Sequence, residues 1–288
     1  MIRTSSTTVA QHFSAAFAGL KACATGTVTR PWLPAIVLGC LIAAAVAAPL
    51  VAPYAPDRID LASRRQAPSA SHWFGTDELG RDVLARVLYG ARVSLAVGLL
   101  SAAVAGASGV AIGGIAGYAG GAIDALLMRA TDSVLAVPRL PLLMIAAVVL
   151  QPSVPLLIVL IGLAGWMETA RVVRAEFRTL GGRGFVESAR AAGAGHVRLL
   201  TRHFLPNAAQ AVAVSLTLAV ARGILLESAL SFFGVGVRPP QASWGNMLYQ
   251  AQSTLATEPW LALAPGVFIL ITTVSVNLVG DRLARRQT

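Results

Sequence analysis

The chain has 288 residues, 56% of them hydrophobic and only 12% charged, with a formal net charge of +10 and a mean hydropathy of +0.69. Soluble domains carry about 25% charged residues, so this composition excludes a soluble globular protein. The Arg residues are scattered among apolar runs, where they read as topology signals rather than as a nucleic-acid-binding patch. The length suits an all-α membrane protein of about six bilayer-spanning helices, each of about 20 residues, joined by loops.

Residues 1–31 are rich in Ser, Thr and Ala, contain Arg3, Lys21 and Arg30, and read as a cytoplasmic tail. The apolar run that follows starts too late for a cleaved signal. That run, 32–52, is the expected first transmembrane helix. Cys23 precedes it and Cys40 lies inside it, a pattern that makes neither a disulfide framework nor a metal site. A proline-rich exit at Pro49, Pro53 and Pro56 opens an external segment, 53–92, which ends in a charged amphipathic helix. Thr76 is that helix's expected N-cap, with Asp77 and Glu78 in the first turn beside the positive helix end.

A second span covers about 93–118. Gly109, Gly113, Gly117 and Gly121 recur every fourth residue, with Ala105 one step earlier, and lay a smooth stripe for a neighbouring helix. A short loop with Asp124 and Arg129 leads to a third span, 131–150, which Pro138 and Pro141 should kink. A turn through Gln151 and Pro152 precedes the fourth span, 154–170. The fifth, 208–233, contains Arg222 and Glu227. Ionisable groups at such depth are costly and face a protein interior or water; an intramembrane polar pair and a lining of a substrate path both fit. A long external connection, 234–259, carries Pro239-Pro240 and Ser243-Trp244-Gly245. A sixth span, 260–280, completes a five-helix core, 93–280, and a cytoplasmic tail follows at 281–288 with Arg282, Arg285 and Arg286.

The remaining stretch, 171–207, lies between spans four and five and holds seven Arg against Glu176 and Glu187. With six spans it shares a side with both termini, and their Arg/Lys excess makes that side cytoplasmic. Its core reads GFVESARAAGAGHVRLLTRHFLPN. Phe185, Ala189 and Ala192 share one face of a short helix, and Glu187 can pair with Arg183 or Arg190. Gly193-Ala194-Gly195 breaks the helix. Val197, Leu200 and Phe204 then recur at helical spacing, before Pro206 ends the turn or opens the next helix.

Sequences that bind or hydrolyse nucleotide are absent. The single lysine, Lys21, follows Leu20, so there is no Gly-Lys-Ser/Thr phosphate loop. No Gly-x-Ser-x-Gly or His-Glu-x-x-His occurs. The four His are dispersed, and His196 and His203 lack the Cys or carboxylate neighbours of a metal site.

The loop resembles the segment that defines the permease subunits of ATP-binding-cassette importers. That family's pattern is Glu-Ala-Ala, three residues, Gly, nine residues, an apolar residue, one residue, Leu-Pro. Glu187, Ser188, Ala189, Gly193, His203, Leu205 and Pro206 fall on those positions, with Ser188 replacing Ala and His203 replacing an apolar residue. The His-Phe-Leu-Pro-Asn ending, the string Gly-Thr-Asp-Glu-Leu-Gly-Arg-Asp at 75–82 and Ser243-Trp244-Gly245 are similar to the dipeptide, oligopeptide and nickel branch. The resemblance implies a multi-pass permease of the bacterial inner membrane, binding no cofactor or metal itself. It implies a homologous second permease, two cytoplasmic ATPase subunits that use ATP and Mg, and an external solute-binding protein as partners. In it the loop from Glu187 to Pro206 is the ATPase-coupling element. Nickel or another small solute is the alternative cargo. An ion-coupled transporter leaves the loop without a role, and a membrane-embedded enzyme has only Arg222 and Glu227 to draw on.

Overall fold

The computed structural model describes residues 32–151 and 153–285. The expected N-terminal tail 1–31, the turn residue Pro152 and the last part of the C-terminal tail, with Arg286, lie outside the described residues.

Among the described residues the chain is helical with no strand beyond one isolated bridge between Thr76 and Asp82. Helix α1, Leu33–Val46, continues into a short turn of helix at Ala48–Val51. Helix α2, Val83–Ala119, is followed by α3, Gly121–Leu135, and α4, Arg139–Leu150. Next come α5, Val154–Leu163, and α6, Trp166–Gly181. The loop helix α7, Gly184–Ala191, precedes α8, Leu205–Phe232, which is entered through His196–Leu199 and a π-turn at Leu200–Phe204. An outer helix α9, Trp244–Ala251, and the last helix α10, Trp260–Arg285, complete the chain.

Three stretches are long and apolar enough to cross a membrane alone: α2, the continuous helix His196–Phe232, and α10. Two further crossings are broken. Helices α3 and α4 meet at 77° and α5 and α6 at 43°, and each pair passes the same test only as a unit. The first break falls at Pro138, which has no N–H to continue α3 and stands as the N-cap of α4. Pro141, in the first turn of α4, removes an N–H that has no helical partner in any case, so it adds no kink. The expected loop around Asp124 and Arg129 is helix instead, and the third crossing is two helices rather than one.

Helix α2 is the central post. At about 1.5 Å per residue its 37 residues reach some 55 Å, well beyond the roughly 30 Å of hydrocarbon. Its start differs from the sequence reading. The N-cap is Asp82, whose carboxylate accepts from Ala85 N at 2.8 Å, and 76–82 form a tight loop in which Gly80 has φ +73°. Thr76 is instead a cross-link: its Oγ1 accepts from Gln66 N at 2.9 Å and donates to Ser63 O at 2.5 Å. The two glycines and the carboxylates of 75–82 are used to fold the loop back on itself, which overrides the local helix signal.

Three of the stripe glycines lie where α2 meets α6. A Cβ at Gly109 would sit 2.6 Å from Thr169 Cβ, one at Gly113 2.8 Å from Ala170 Cα, and one at Gly117 2.7 Å from Phe177 Cβ. Gly121 does not belong to this seam. The helix ends at Ala119, Gly120 and Gly121 both take positive φ, and nothing lies within 4 Å of a Cβ at Gly121. The four-residue repeat outlasts the helix that gives it meaning.

At the end of the bundle away from the 184–207 loop, Ser243 caps α9 in a reciprocal capping box with Asn246. Trp244 is fully buried, with Nε1 donating to Val87 O at 3.0 Å. The external connection thus packs onto α2 instead of trailing in solvent.

Replacing Gly113 with Leu drives a side chain into the α6 backbone. It should cost about 3 kcal/mol, lowering the melting temperature of the detergent-solubilised protein by several degrees. Gly39→Ala, where nothing lies within 4 Å of the added Cβ, should not lower it.

Candidate functional site

The loop between α6 and α8 is built on a glycine. Helix α7 ends in a Schellman turn: Gly193 N donates to Arg190 O and Ala194 N to Ala189 O, both at 3.0 Å. This geometry needs a left-handed residue, and Gly193 supplies it with φ +80°. Gly195 then caps the turn that starts at His196. The expected helix, hinge and helix are placed as the sequence pattern draws them, with one change at the end. Pro206 does not stop the chain; it stands in the first turn of α8, and no break separates that helix from the turn before it. The π-turn at Leu200–Phe204 absorbs the missing N–H, and Asn207 Nδ2 donates to His203 O at 2.6 Å, so the loop runs without a stop into α8.

The inner face of the loop is apolar and locked. Val186, Leu199 and Phe204 are buried with Val173, Phe177 and Leu180 of α6 and Ala208 of α8. Phe204 sits edge-on to Tyr118 at 5.3 Å and tilted to Phe177 at 5.1 Å between ring centroids. Tyr118 Oη and His196 Nδ1 lie 2.6 Å apart. The α3 start is tied to the same place: Asp124 holds Arg174 in a bidentate pair and Arg178 at 3.1 Å.

The outer face differs from the one expected. Phe185 is 44% exposed and Val197 75% exposed, while Ala192 is also exposed and Leu200 is half-buried. In α7 the buried line runs through Val186, with Ala189 beside it, not through Phe185 and Ala192. Leu199, one position before the expected Leu200, takes the buried place in the second turn. Periodicity marks two apolar lines and cannot say which one meets α6. Ser188, Gly193, Leu205 and Pro206 are exposed, and His203 is half-buried with its ring 6.2 Å from that of Phe185. Glu187 is exposed and has no ion pair with Arg183 or Arg190. Arg183, four residues before Glu187, stands in the poorer helical order; Arg190 stands in the better one, but all three side chains are exposed and remain solvated.

Arg222 and Glu227 do not pair. Five residues apart on a helix, they point about 140° from each other. Arg222 instead meets Glu168 of α6, which also accepts from Arg139 Nη2 of α4 at 2.8 Å. Glu227 is fully buried near the outer end of α8, where Ser94 Oγ donates at 2.9 Å and Ser231 Oγ at 2.8 Å. Ser94 Oγ in turn accepts from Trp244 N, and Ser231 Oγ from Val237 N. Glu227 therefore gathers α2, α8 and the outer connection into one polar node. Arg139 and Glu168 went unread in the sequence, because each stands alone in its own segment and only the helix breaks bring them to Arg222. Among the described residues no three His, Cys, Asp or Glu side chains cluster as metal ligands would.

Residues 109–288 match the family described as binding-protein-dependent transport system inner membrane component. A Brucella suis biovar 1 protein that carries the provisional name peptide permease protein is 42% identical over 250 residues, 86% of this chain and 83% of that one. The oligopeptide transport system permease protein OppC of Bacillus subtilis is 37% identical over 248 residues, 86% of this chain and 81% of its own length. Among solved structures, the inward-facing MetNI methionine ABC transporter matches with a TM-score of 0.60 at 18% identity, covering 71% of this chain and 97% of that one.

Phe204→Ala should remove about 3 kcal/mol or more of packing from the loop's anchor and speed tryptic cleavage at Arg183, Arg190 and Arg198 in the solubilised protein. Val197→Ala, on the exposed side, should leave the cleavage rate unchanged.

Proposed function

The chain belongs to the binding-protein-dependent transport system inner membrane components, the permease subunits of ATP-binding-cassette importers, and on that footing we propose that it carries peptides and is driven through the 187–206 loop. The carrying observation is the loop's two-sidedness. Val186, Leu199 and Phe204 fix it to α6 and α8, while Phe185 and Val197 are left uncovered beside it. Exposed apolar side chains on a rigid mount suit a groove on a soluble partner. The peptide cargo is supported by the names of the relatives.

In this reading two cytoplasmic ATPase subunits, which use ATP and Mg, grip the loop of this chain and of a homologous second permease. A solute-binding protein delivers cargo from outside. Closure of the ATPase pair pushes on Phe185 and Val197, and the packed anchor transmits the push to α6 and α8. The crossings then rock between inward- and outward-open forms, an alternating-access motion. Six crossings, with α1 and its continuation as the first, place both termini and the loop on the cytoplasmic side, in keeping with the Arg excess there.

Two experiments test this. A Cβ at Gly193 meets nothing within 4 Å, so the main cost of a valine there is conformational, about 1–2 kcal/mol for a left-handed non-glycine residue and more when β-branched. Since about 1.4 kcal/mol is tenfold in a docking equilibrium, Gly193→Val should cut uptake and binding-protein-stimulated ATP hydrolysis together by about tenfold or more. Pairing with the second permease should survive. Gly193→Asn, which tolerates the left-handed region, should retain most of both, and Glu187→Ala should act in the direction of the valine but more weakly. Normal uptake by Gly193→Val in assembled complexes removes the loop from the coupling role. In the second experiment, single cysteines at Arg190 and Gln241, both exposed, should react with an impermeant thiol reagent from the cytoplasmic and the external side respectively. Reaction of both from one side refutes the drawn topology.

A further inference from the structure

Arg139, Glu168 and Arg222 form a three-membered charge cluster at membrane depth. Arg222 precedes the outer end of α8 at Phe232 by ten residues, about 15 Å along the helix, close to the middle of a hydrocarbon layer about 30 Å thick. Arg139 is the first residue after the 77° break between α3 and α4, and Glu168 lies in the first turn after the 43° break between α5 and α6. Broken backbone at such depth is tolerated only where protein buries it or water reaches it.

The cluster is not sealed inside this chain. The side chains of Arg222, Glu168 and Arg139 are 45%, 37% and 20% exposed. Charges so exposed at mid-membrane cannot face lipid at acceptable cost. Glu168 and Arg222 also edge a cavity of about 220 Å³, lined further by Thr169, Ser215, Ala219 and, toward the loop end of α8, Ala211. From Ala211 to Arg222 is about 16 Å of helix, so the cavity leads from the loop side to the charges. Two Arg share one Glu, which leaves the cluster one positive charge in excess.

We propose that this cluster is a positively biased gate on the translocation path, at which Arg222 exchanges Glu168 for a carboxylate of the passing solute. The inference rests on the permease reading and names the chemistry its path selects. In the resting arrangement Glu168 bridges Arg222 and Arg139 and closes the inner end of the cavity. A solute carboxylate takes the place of Glu168 on Arg222, Glu168 stays with Arg139, and return of Glu168 releases the solute toward the cytoplasm. A neutral or cationic solute has nothing to offer Arg222 and leaves the bridge shut. An ammonium group on the same solute can be met by the freed Glu168 oxygen, so zwitterions are favoured over plain cations.

The test uses the complete importer, with both permeases, the ATPases and the binding protein, in vesicles, and Cys23 and Cys40 replaced by Ala. Cysteines at Ala211 and Ala219 should react from the cytoplasmic side with impermeant methanethiosulfonates. At Ala219→Cys the anionic reagent should outpace the cationic one by about tenfold, a size typical of charge focusing in a cleft, after each rate is normalised to free cysteine. Combining Ala219→Cys with Arg139→Gln and Arg222→Gln should bring the two rates within about twofold. Uptake of a dipeptide with free termini should fall about tenfold in Arg222→Gln and be largely kept in Arg222→Lys. Failure of both cysteines to react in assembled complexes, a reagent ratio indifferent to the two Arg, or unchanged uptake in Arg222→Gln would each overturn the gate. Failure of the unaltered chain to co-purify with ATPase subunits would instead count against the permease reading itself, and co-purification of each variant separates loss of the gate from loss of folding.

Discussion

The close approach of α2 and α6 is the constraint on which the other features depend. Gly109, Gly113 and Gly117 remove the side chains that would hold the two backbones apart, and a Cβ at any of them meets α6 at less than 3 Å. In a bilayer, where apolar side chains gain nothing by leaving lipid, such backbone proximity is a main source of helix–helix attraction. What it secures is α6, which carries Glu168 at one end and Phe177 at the other. One rigid helix of about 24 Å therefore joins the Arg139–Glu168–Arg222 cluster to the anchor of the loop.

That connection gives the proposed coupling a physical path. A displacement of the loop cannot be absorbed by soft contacts at Phe204, because its ring is held between Tyr118 of α2 and Phe177 of α6. Asp124, bound to Arg174 and Arg178, ties α3 to the same end of α6. Close-packed interiors transmit strain rather than dissipate it. In the proposed coupling, motion at Phe185 and Val197 would reach α6 and α8 as bodies; Glu168 lies at the far end of α6, and its partner Arg222 lies ten residues short of the far end of α8. In that proposed motion, the 43° break before α6 would let the helix swing without carrying α5 along.

The outer end is built on the opposite principle. Glu227, sealed from solvent, is satisfied by Ser94 and Ser231, and these in turn hold Trp244 and Val237. A buried polar group costs little when its hydrogen bonds are met and a great deal when they are not. The node therefore fixes the register of α2, α8 and the 234–244 connection to one another. Beside it, Gly75 and Gly80 fold 75–82 against 60–66, where a Cβ at Gly75 would meet Gln66 O at 2.5 Å. The string 75–82, which reads as a helix start, and the 234–244 connection together close the end of the bundle away from the loop.

The sequence by itself determined what rests on local chemistry. Apolar runs of spanning length, the Arg bias of the 171–207 stretch and the need for glycine at 193 are legible because hydropathy, charge and backbone conformation act within a few residues. The same locality explains the errors. Thr76 followed by two acidic residues has the form of a helix start, but the cross-links to Ser63 and Gln66 turned it into a loop. Gly121 continued a repeat whose helix had already ended. Phe185 and Val186 are equally apolar, and only the position of α6 decided that Val186 is inside and Phe185 outside. Arg222 and Glu227 are neighbours in sequence and point apart on a helix, whereas Arg222 and Glu168 meet because two broken crossings fold against α8. Which charges meet inside the bundle is a property of packing between distant segments, and no local pattern in the chain encodes it.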